Sequence, residues 1–126
     1  MRRIGILGGS FDPVHYGHLL LAESCQQQCA LDEVWFVPAA INPHKPAGSF
    51  ASDEQRLEML RLALAGHSGF GIMEMELERG GTSFTVDTLE LLAEQFVDHE
   101  FFLLLGADSL ADLPTWKDPQ RICELA

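Results

Sequence analysis

Positive charge is scarce in this chain. Lys and Arg together number 8 against 19 Asp and Glu, a formal net charge of −11. A broad electrostatic grip on DNA or RNA is therefore not expected, because non-specific nucleic-acid affinity rests on clustered Lys and Arg. A small phosphate ligand is compatible with this balance if local donors and a divalent cation hold it. Cysteine is also scarce: Cys25, Cys29 and Cys123 form no CxxC pair and no metal-ligand cluster. Neither a disulfide framework nor a protein-held metal is expected from them. Cys25 and Cys29 lie one helical turn apart and read as small, semi-apolar helix residues. No apolar run is long enough to span a bilayer, and the stretch after Arg2 and Arg3 is too short for a signal-peptide core. The expectation is a chain of the reducing cytoplasm, with no membrane or nucleic-acid partner and with a homo-oligomer left open.

What is present is an ordinary globular composition, 47% apolar and 21% charged over 126 residues. That size predicts one domain, residues 1–126. The elements alternate. RIGILGG reads as a strand ended by glycines. A helix follows from Tyr16 to about Ala30, with Leu19, Leu20, Ala22, Cys25 and Cys29 as its apolar face. EVWFVPA is an all-apolar strand of the kind buried on both faces. After the loop INPHKPAGSFAS, Ser52 and Gln55 form a capping box for the helix DEQRLEMLRLALAG, which stops at Gly66. GFGIMEMELE reads as a strand, and Thr85 as a cap for the helix VDTLELLAEQF. EFFLLLG is another apolar strand, followed by ADSLADLPTWKDP and a helix start at PQRICELA. This order predicts an α/β fold, a doubly wound parallel sheet covered by helices on both faces. The last residues fall within a helix start, so a further C-terminal portion is expected in the whole protein.

In an open parallel sheet, ligands bind outside the carboxyl ends of the strands. Three histidines fall in that set, His15, His18 and His44, whereas His67 and His99 fall at the opposite ends and read as solvated turn residues. The segment after the first strand, GGSFDPVHYGH, is neither GxGxxG nor a Walker loop. Gly8 and Gly9 let a phosphate approach the backbone, and the amides of Ser10 and Phe11 supply donors. His15 and His18, at i and i+3, belong to the first turn of a helix, beside its free N–H groups. His44 and Lys45 make a second cationic patch. Asp108, after FFLLLG, suits either two ribose hydroxyls or an N-cap for SLADL. Trp116 suits stacking on a ligand ring or packing of the last helix. Phe84 and Thr85 are weaker signals by themselves.

GGSFDPVHYGH resembles the GxFDPxHxGH signature of the HxGH nucleotidyltransferases, and PHK, TSFTVDTL and LGADSLADLPTW resemble the bacterial nicotinate mononucleotide adenylyltransferases within them. The resemblance runs from Met1 to Ala126 with its motifs in order. It implies a Rossmann-like, three-layer α/β/α fold and adenylyl transfer from ATP to nicotinate mononucleotide, with Mg²⁺ accompanying the ATP. It further implies that Gly8, Gly9, Ser10 and Phe11 line the ATP site and that His15 and His18 are the catalytic contacts to its phosphates. Gly106 and Asp108 would meet the ribose. His44, Lys45, Phe84, Thr85 and Trp116 would hold the pyridine nucleotide, Trp116 by stacking. Phe84 stands where the family commonly has Tyr, and Ala-Ile-Asn replaces the Asn and Pro often found before PHK. The ISSTxIR-like phosphate segment of the family does not occur. Related alternatives are a phosphopantetheine adenylyltransferase or a glycerol-3-phosphate cytidylyltransferase, whose C-terminal RTxGISTT-like string is absent, or an inactive nucleotide-binding fragment.

Overall fold

The computed structural model describes residues 1–126. Four strands, β1 (Arg2–Gly9), β2 (Glu33–Pro38), β3 (Phe70–Ile72) and β4 (His99–Leu103), form one sheet in the order β3-β2-β1-β4, and every pairing is parallel. The helices are α1 (Tyr16–Gln28), α2 (Asp53–Leu64), α3 (Met75–Arg79), α4 (Thr85–Gln95), α5 (Ala107–Asp112) and α6 (Pro119–Leu125). The chain runs outward from β1 through β2 to β3, then returns to place β4 on the other side of β1. The strand order therefore reverses between β1 and β4, which is where a doubly wound sheet opens a crevice.

Period-two alternation along the central strands sorts their side chains into two cores. Ile4, Ile6, Trp35, Val37 and Phe101 pack on one face with Val86, Leu89 and Leu92 of α4 and Ile122 of α6. Leu7, Val34 and Phe36 pack on the other with Ala22 of α1 and Leu60 and Leu64 of α2. Both faces of the sheet are thus covered, which is why β2 is apolar almost throughout and buried from Val34 to Pro38. Gly5 is required by packing: a Cβ there would lie 2.8 Å from Leu31 Cδ1 and 3.1 Å from Leu104 Cδ1.

Local chemistry sets several boundaries differently from the sequence expectation. The first helix ends at Gln28 rather than Ala30, and its Leu20 is 62% exposed, so Leu20 and the exposed Cys29 lie off the buried face. The Ser52–Gln55 capping box forms as expected, with each side chain accepting from the other residue's backbone N–H. GFGIMEMELE is not one strand. It pairs with β2 only over Phe70–Ile72 and then winds into α3. Met, Glu, Leu, Glu and Arg are good helix formers with no β-branching, and Gly80, at φ 69°, ends the turn. Thr85 is the first helical residue of α4 rather than its cap; Phe84 holds the cap position and no side chain caps the helix. His99 is not a solvated turn residue: it opens β4, with its side chain 13% exposed against Trp35, Phe96 and Phe101.

Candidate active site at the β1–β4 crevice

A cleft of about 1200 Å³ opens at the carboxyl ends of the strands, and every residue singled out above as a candidate lines it. One wall is the segment following β1. There the backbone turns sharply at Phe11, whose φ of 50° is in the left-handed region and whose ring is 2% exposed. The buried ring meets Phe36 at 5.7 Å and supports the His18 imidazole edge-on at 4.9 Å. Phe11 thus contributes to this wall by its backbone and by holding His18.

His15 is the N-cap of α1. Its Nδ1 accepts the Gly17 N–H at 3.1 Å, and Nδ1 of His18 accepts the His15 N–H at 3.1 Å. A ring nitrogen that accepts carries no proton, so in each neutral imidazole the proton sits on Nε2. The rings stack with centroids 3.9 Å apart. The pair therefore offers two N–H donors at a helix N-terminus, where an anion is favoured. Burial, and then the neighbouring His15, lowers the pKa of His18 from 6.5 to about 4, so His18 is neutral at pH 7. A neutral ring that donates a hydrogen bond to phosphate is chemically distinct from an acid–base catalyst poised near pH 7.

The second wall is the loop after β2. Asn42 makes an Asx turn, its Oδ1 accepting the His44 N–H at 2.9 Å, while its Nδ2 donates to Ser10 Oγ at 3.0 Å. That bond ties the loop carrying His44 and Lys45 to the segment carrying His15 and His18. Asp12 makes a second tie by accepting the N–H groups of Phe50 and Ala51; these two bonds hold its carboxyl below the usual carboxylate range. Beneath this junction lies Arg56, 1% exposed, donating to the Ser10 carbonyl at 2.7 Å and to Asp53 at 2.7 Å.

The far wall is built from the turn before α4 and the segment after β4. Glu76 of α3, 6% exposed, accepts from Thr88 Oγ1 at 2.6 Å and is also bonded by Ser83. Ser83 Oγ in turn accepts the Ala40 N–H at 3.0 Å, so the turn carrying Phe84 and Thr85 is fastened to the end of β2. Burial pushes the Glu76 carboxyl upward in pKa. Trp116 faces His44 across the cleft at 5.7 Å, and its indole Nε1 is buried without a partner. Lys117 Nζ lies 4.7 Å from the Phe84 ring centroid and 3.2 Å from Asp87 Oδ2. Gly106 is the N-cap of α5, which resolves the two readings of Asp108 against capping: its carboxylate stands exposed in the first turn.

Asn42, Asp12, Arg56, Ser83, Glu76 and Lys117 also shape the site, and only some left a sequence signal. Asn-Pro ahead of His-Lys is an Asx-turn signal, and Asp12 lies within the opening motif. Arg56 reads as one of many polar positions of an amphipathic helix, because nothing local shows that its face meets the Ser10 turn. No group of three or more His, Cys, Asp or Glu side chains comes together as a metal site.

The fold and sequence of this chain are shared with known proteins. The solved structure of Plasmodium falciparum nicotinic acid mononucleotide adenylyltransferase complexed with NaAD superposes with a TM-score of 0.83 at 23% identity, covering 97% of this chain and 60% of that one. The same enzyme complexed with APC gives 0.81 at 22% identity, covering 97% and 59%. These likenesses bear out the Rossmann-like fold. A Rhodopirellula baltica protein named "Probable nicotinate-nucleotide adenylyltransferase" is 53% identical over 98% of this chain and 59% of its own length. A Bacillus licheniformis protein of the same name is 46% identical over 99% of this chain and 66% of its own. The chain therefore spans roughly three-fifths to two-thirds of the length of these relatives. The cytidylyltransferase-like family model matches residues 6–126. With the HxGH pair, the reversed strand order and that match in agreement, the chain belongs to the cytidylyltransferase-like family.

Proposed function

We propose that this chain carries the adenylyl-transfer site of a nicotinate-nucleotide adenylyltransferase, joining ATP to nicotinate mononucleotide with release of pyrophosphate. The observation that carries the reading is the one cleft that unites His15 and His18 at a helix N-terminus with Asp108 beyond β4 and an aromatic wall of Phe84 and Trp116. The named relatives at 53% and 46% identity support it.

In this reading the phosphate of the mononucleotide attacks the α-phosphorus of ATP. The bond to the β,γ-diphosphate breaks, and pyrophosphate leaves with the electron pair. The attacking phosphate is already ionised at neutral pH, so no general base is required. The chain's task is alignment and stabilisation of charge on the transferred group. The Nε2–H groups of His15 and His18 donate to phosphate oxygens, with the Gly8–Phe11 backbone close behind. Lys45 and His44 face the phosphates from the opposite loop. Gly106 and Asp108 take the ribose, and Thr85 at the uncapped start of α4 offers N–H groups to the pyridine substituent. Mg²⁺ enters as part of the MgATP substrate, carried by the triphosphate oxygens. Such an enzyme works in the cytoplasm on small nucleotides.

The test is pyrophosphate release by the protein, and by the full reading frame that encodes it, with MgATP and nicotinate mononucleotide. Parallel reactions take nicotinamide mononucleotide, phosphopantetheine, or glycerol 3-phosphate with CTP. Turnover greatest with a pyridine mononucleotide is the expected result. No turnover with either pyridine nucleotide, beside activity with one of the other acceptors, would overturn the reading.

A further inference from the structure

The acid and the amide of a pyridine mononucleotide differ in one respect that matters here, a negative charge on the ring substituent. The cleft has few cations with which to sense it. The chain contains two lysines, Lys45 and Lys117; both line the cleft, and no arginine does. Lys45 belongs with His44 to the loop anchored on Ser10 through Asn42, on the side of the two imidazoles. Lys117 stands on the aromatic side. It directly follows Trp116, its ammonium lies 4.7 Å from the centre of the Phe84 ring, and Asp87 holds it there with contacts of 3.2 and 3.4 Å.

We propose that Lys117, held over the Phe84 ring by Asp87, sets the preference of the aromatic end of the cleft for a ring carboxylate over a neutral amide. The proposal rests on the pyridine-nucleotide reading above and deepens it. The side chain of Lys117 is 51% exposed, so its flexible stem can swing the ammonium from Asp87 toward an incoming carboxylate without disturbing packing. Asp87, 40% exposed, competes for the same charge and so moderates the preference while it fixes the starting position. An amide of the same shape gains nothing comparable from the ammonium. The two residues therefore act in opposite senses on one ratio. A role confined to stability would move both variants in the same sense.

Calorimetric titration of nicotinate mononucleotide and nicotinamide mononucleotide into the protein tests this, with Lys117→Met, Lys117→Arg and Asp87→Asn as variants. Loss of a half-exposed ion pair predicts a fall of about threefold to fivefold in the acid-to-amide affinity ratio for Lys117→Met. Lys117→Arg keeps the charge and most of the ratio, and Asp87→Asn raises it. A ratio unmoved by Lys117→Met, or lowered alike by Lys117→Met and Asp87→Asn, overturns the proposal while leaving the pyridine-nucleotide reading intact. A wild-type protein that binds neither mononucleotide overturns both.

Discussion

His15 and His18 stack at 3.9 Å with their planes 27° apart, and each uses Nδ1 to accept a backbone N–H of the same turn. The spacing of the motif follows from this geometry. His15 must stand at the cap for its ring to reach the Gly17 amide, and His18 must come three residues later for its ring to reach back to the His15 amide. Residue 17 must lack a side chain, because a Cβ there would sit 2.8 Å from His15 Cε1 and 2.9 Å from Nδ1.

Gly17→Ala therefore separates catalysis from folding. Alanine improves helix propensity by about 1 kcal/mol, which offsets the roughly 0.5–2 kcal/mol cost of losing the His15 cap, so stability changes little. The His15 ring must swing away from the added methyl group, and a misplacement of about 1 Å in a positioning group costs roughly 10²-fold in rate. The expected result is a melting temperature within a few degrees of wild type and kcat for the proposed adenylyl transfer lowered on the order of 10²-fold. Wild-type kcat in this variant would show that the stacked arrangement is dispensable.

The depressed pKa of His18 makes a stability prediction with a definite sign. Its value of about 4 in the folded chain lies below the ordinary 6.5, because burial and then His15 disfavour the charged ring. Between those two values the unfolded chain binds the proton and the folded chain does not. Stability is thus fully present above pH 6.5, falls as pH drops from 6.5 toward 4, and loses nothing further from this residue below that. Urea unfolding of wild type and His18→Gln across pH 4 to 7.5 checks it. The wild-type curve should fall more steeply in that window, and parallel curves would refute the assignment. A bound triphosphate should raise the His18 pKa, which imidazole NMR would register directly.

Much of this was legible beforehand because the signals are local. Gly pairs, the Ser52–Gln55 box and the all-apolar stretches of β2 and β4 each report on their own neighbourhood, and their alternation fixes the doubly wound sheet. The strand-end rule then places His15, His18, His44 and Asp108 at one edge of the sheet. What escaped is tertiary. GFGIMEMELE alternates well enough for a strand, but only Phe70–Ile72 finds a partner on β2. The remainder follows its helix propensity once no strand faces it. His99 reads as solvated because it falls at the opposite end of the sheet from the ligand edge, yet Trp35 of β2, Phe96 at the end of α4 and Phe101 of its own strand close over it. The hidden supports of the site, Arg56 and Glu76, are charged residues on helices, and only the fold brings them beneath the cleft.

Arg56 should prove costly to remove. Its guanidinium is buried and holds the Ser10 carbonyl and Asp53, each at 2.7 Å. Arg56→Met fills much of the space but leaves a buried carbonyl without its donor, a loss of about 1–3 kcal/mol before any relaxation of the turn. Arg56→Lys retains a charge but not the fork that reaches both partners. Urea denaturation should place Arg56→Met about 2–3 kcal/mol below wild type, with Arg56→Lys between them, given the same buried-partner penalty. The Ser10–Phe11 turn sits on this contact, so affinity for ATP, the proposed substrate, should fall in the same order. A stability change under about 0.5 kcal/mol for Arg56→Met, the range of ordinary surface substitutions, would remove Arg56 from the support of the site.

Glu76 predicts the opposite pH trend to His18. Burial raises its pKa above the ordinary 4.5, against the smaller opposing effects of Thr88, Arg79 and Ser83. The folded chain binds the proton more tightly than the unfolded chain, so the stabilising contribution is full below pH 4.5 and is lost as pH rises through the raised value. Glu76→Gln does not titrate and should flatten this decline, gaining on wild type from pH 5 toward pH 8 in urea unfolding. Glu76→Ala strips the acceptor from Thr88, which is 2% exposed, and should cost about 1–3 kcal/mol throughout that range. The same change loosens the fastening of Ser83 to the end of β2, so amide exchange at Phe84 and Thr85 should quicken in Glu76→Ala more than at Leu89 or Leu92. A Glu76→Gln curve that tracks wild type at every pH would mean that the carboxyl is ionised in the fold and solvated there, contrary to its burial.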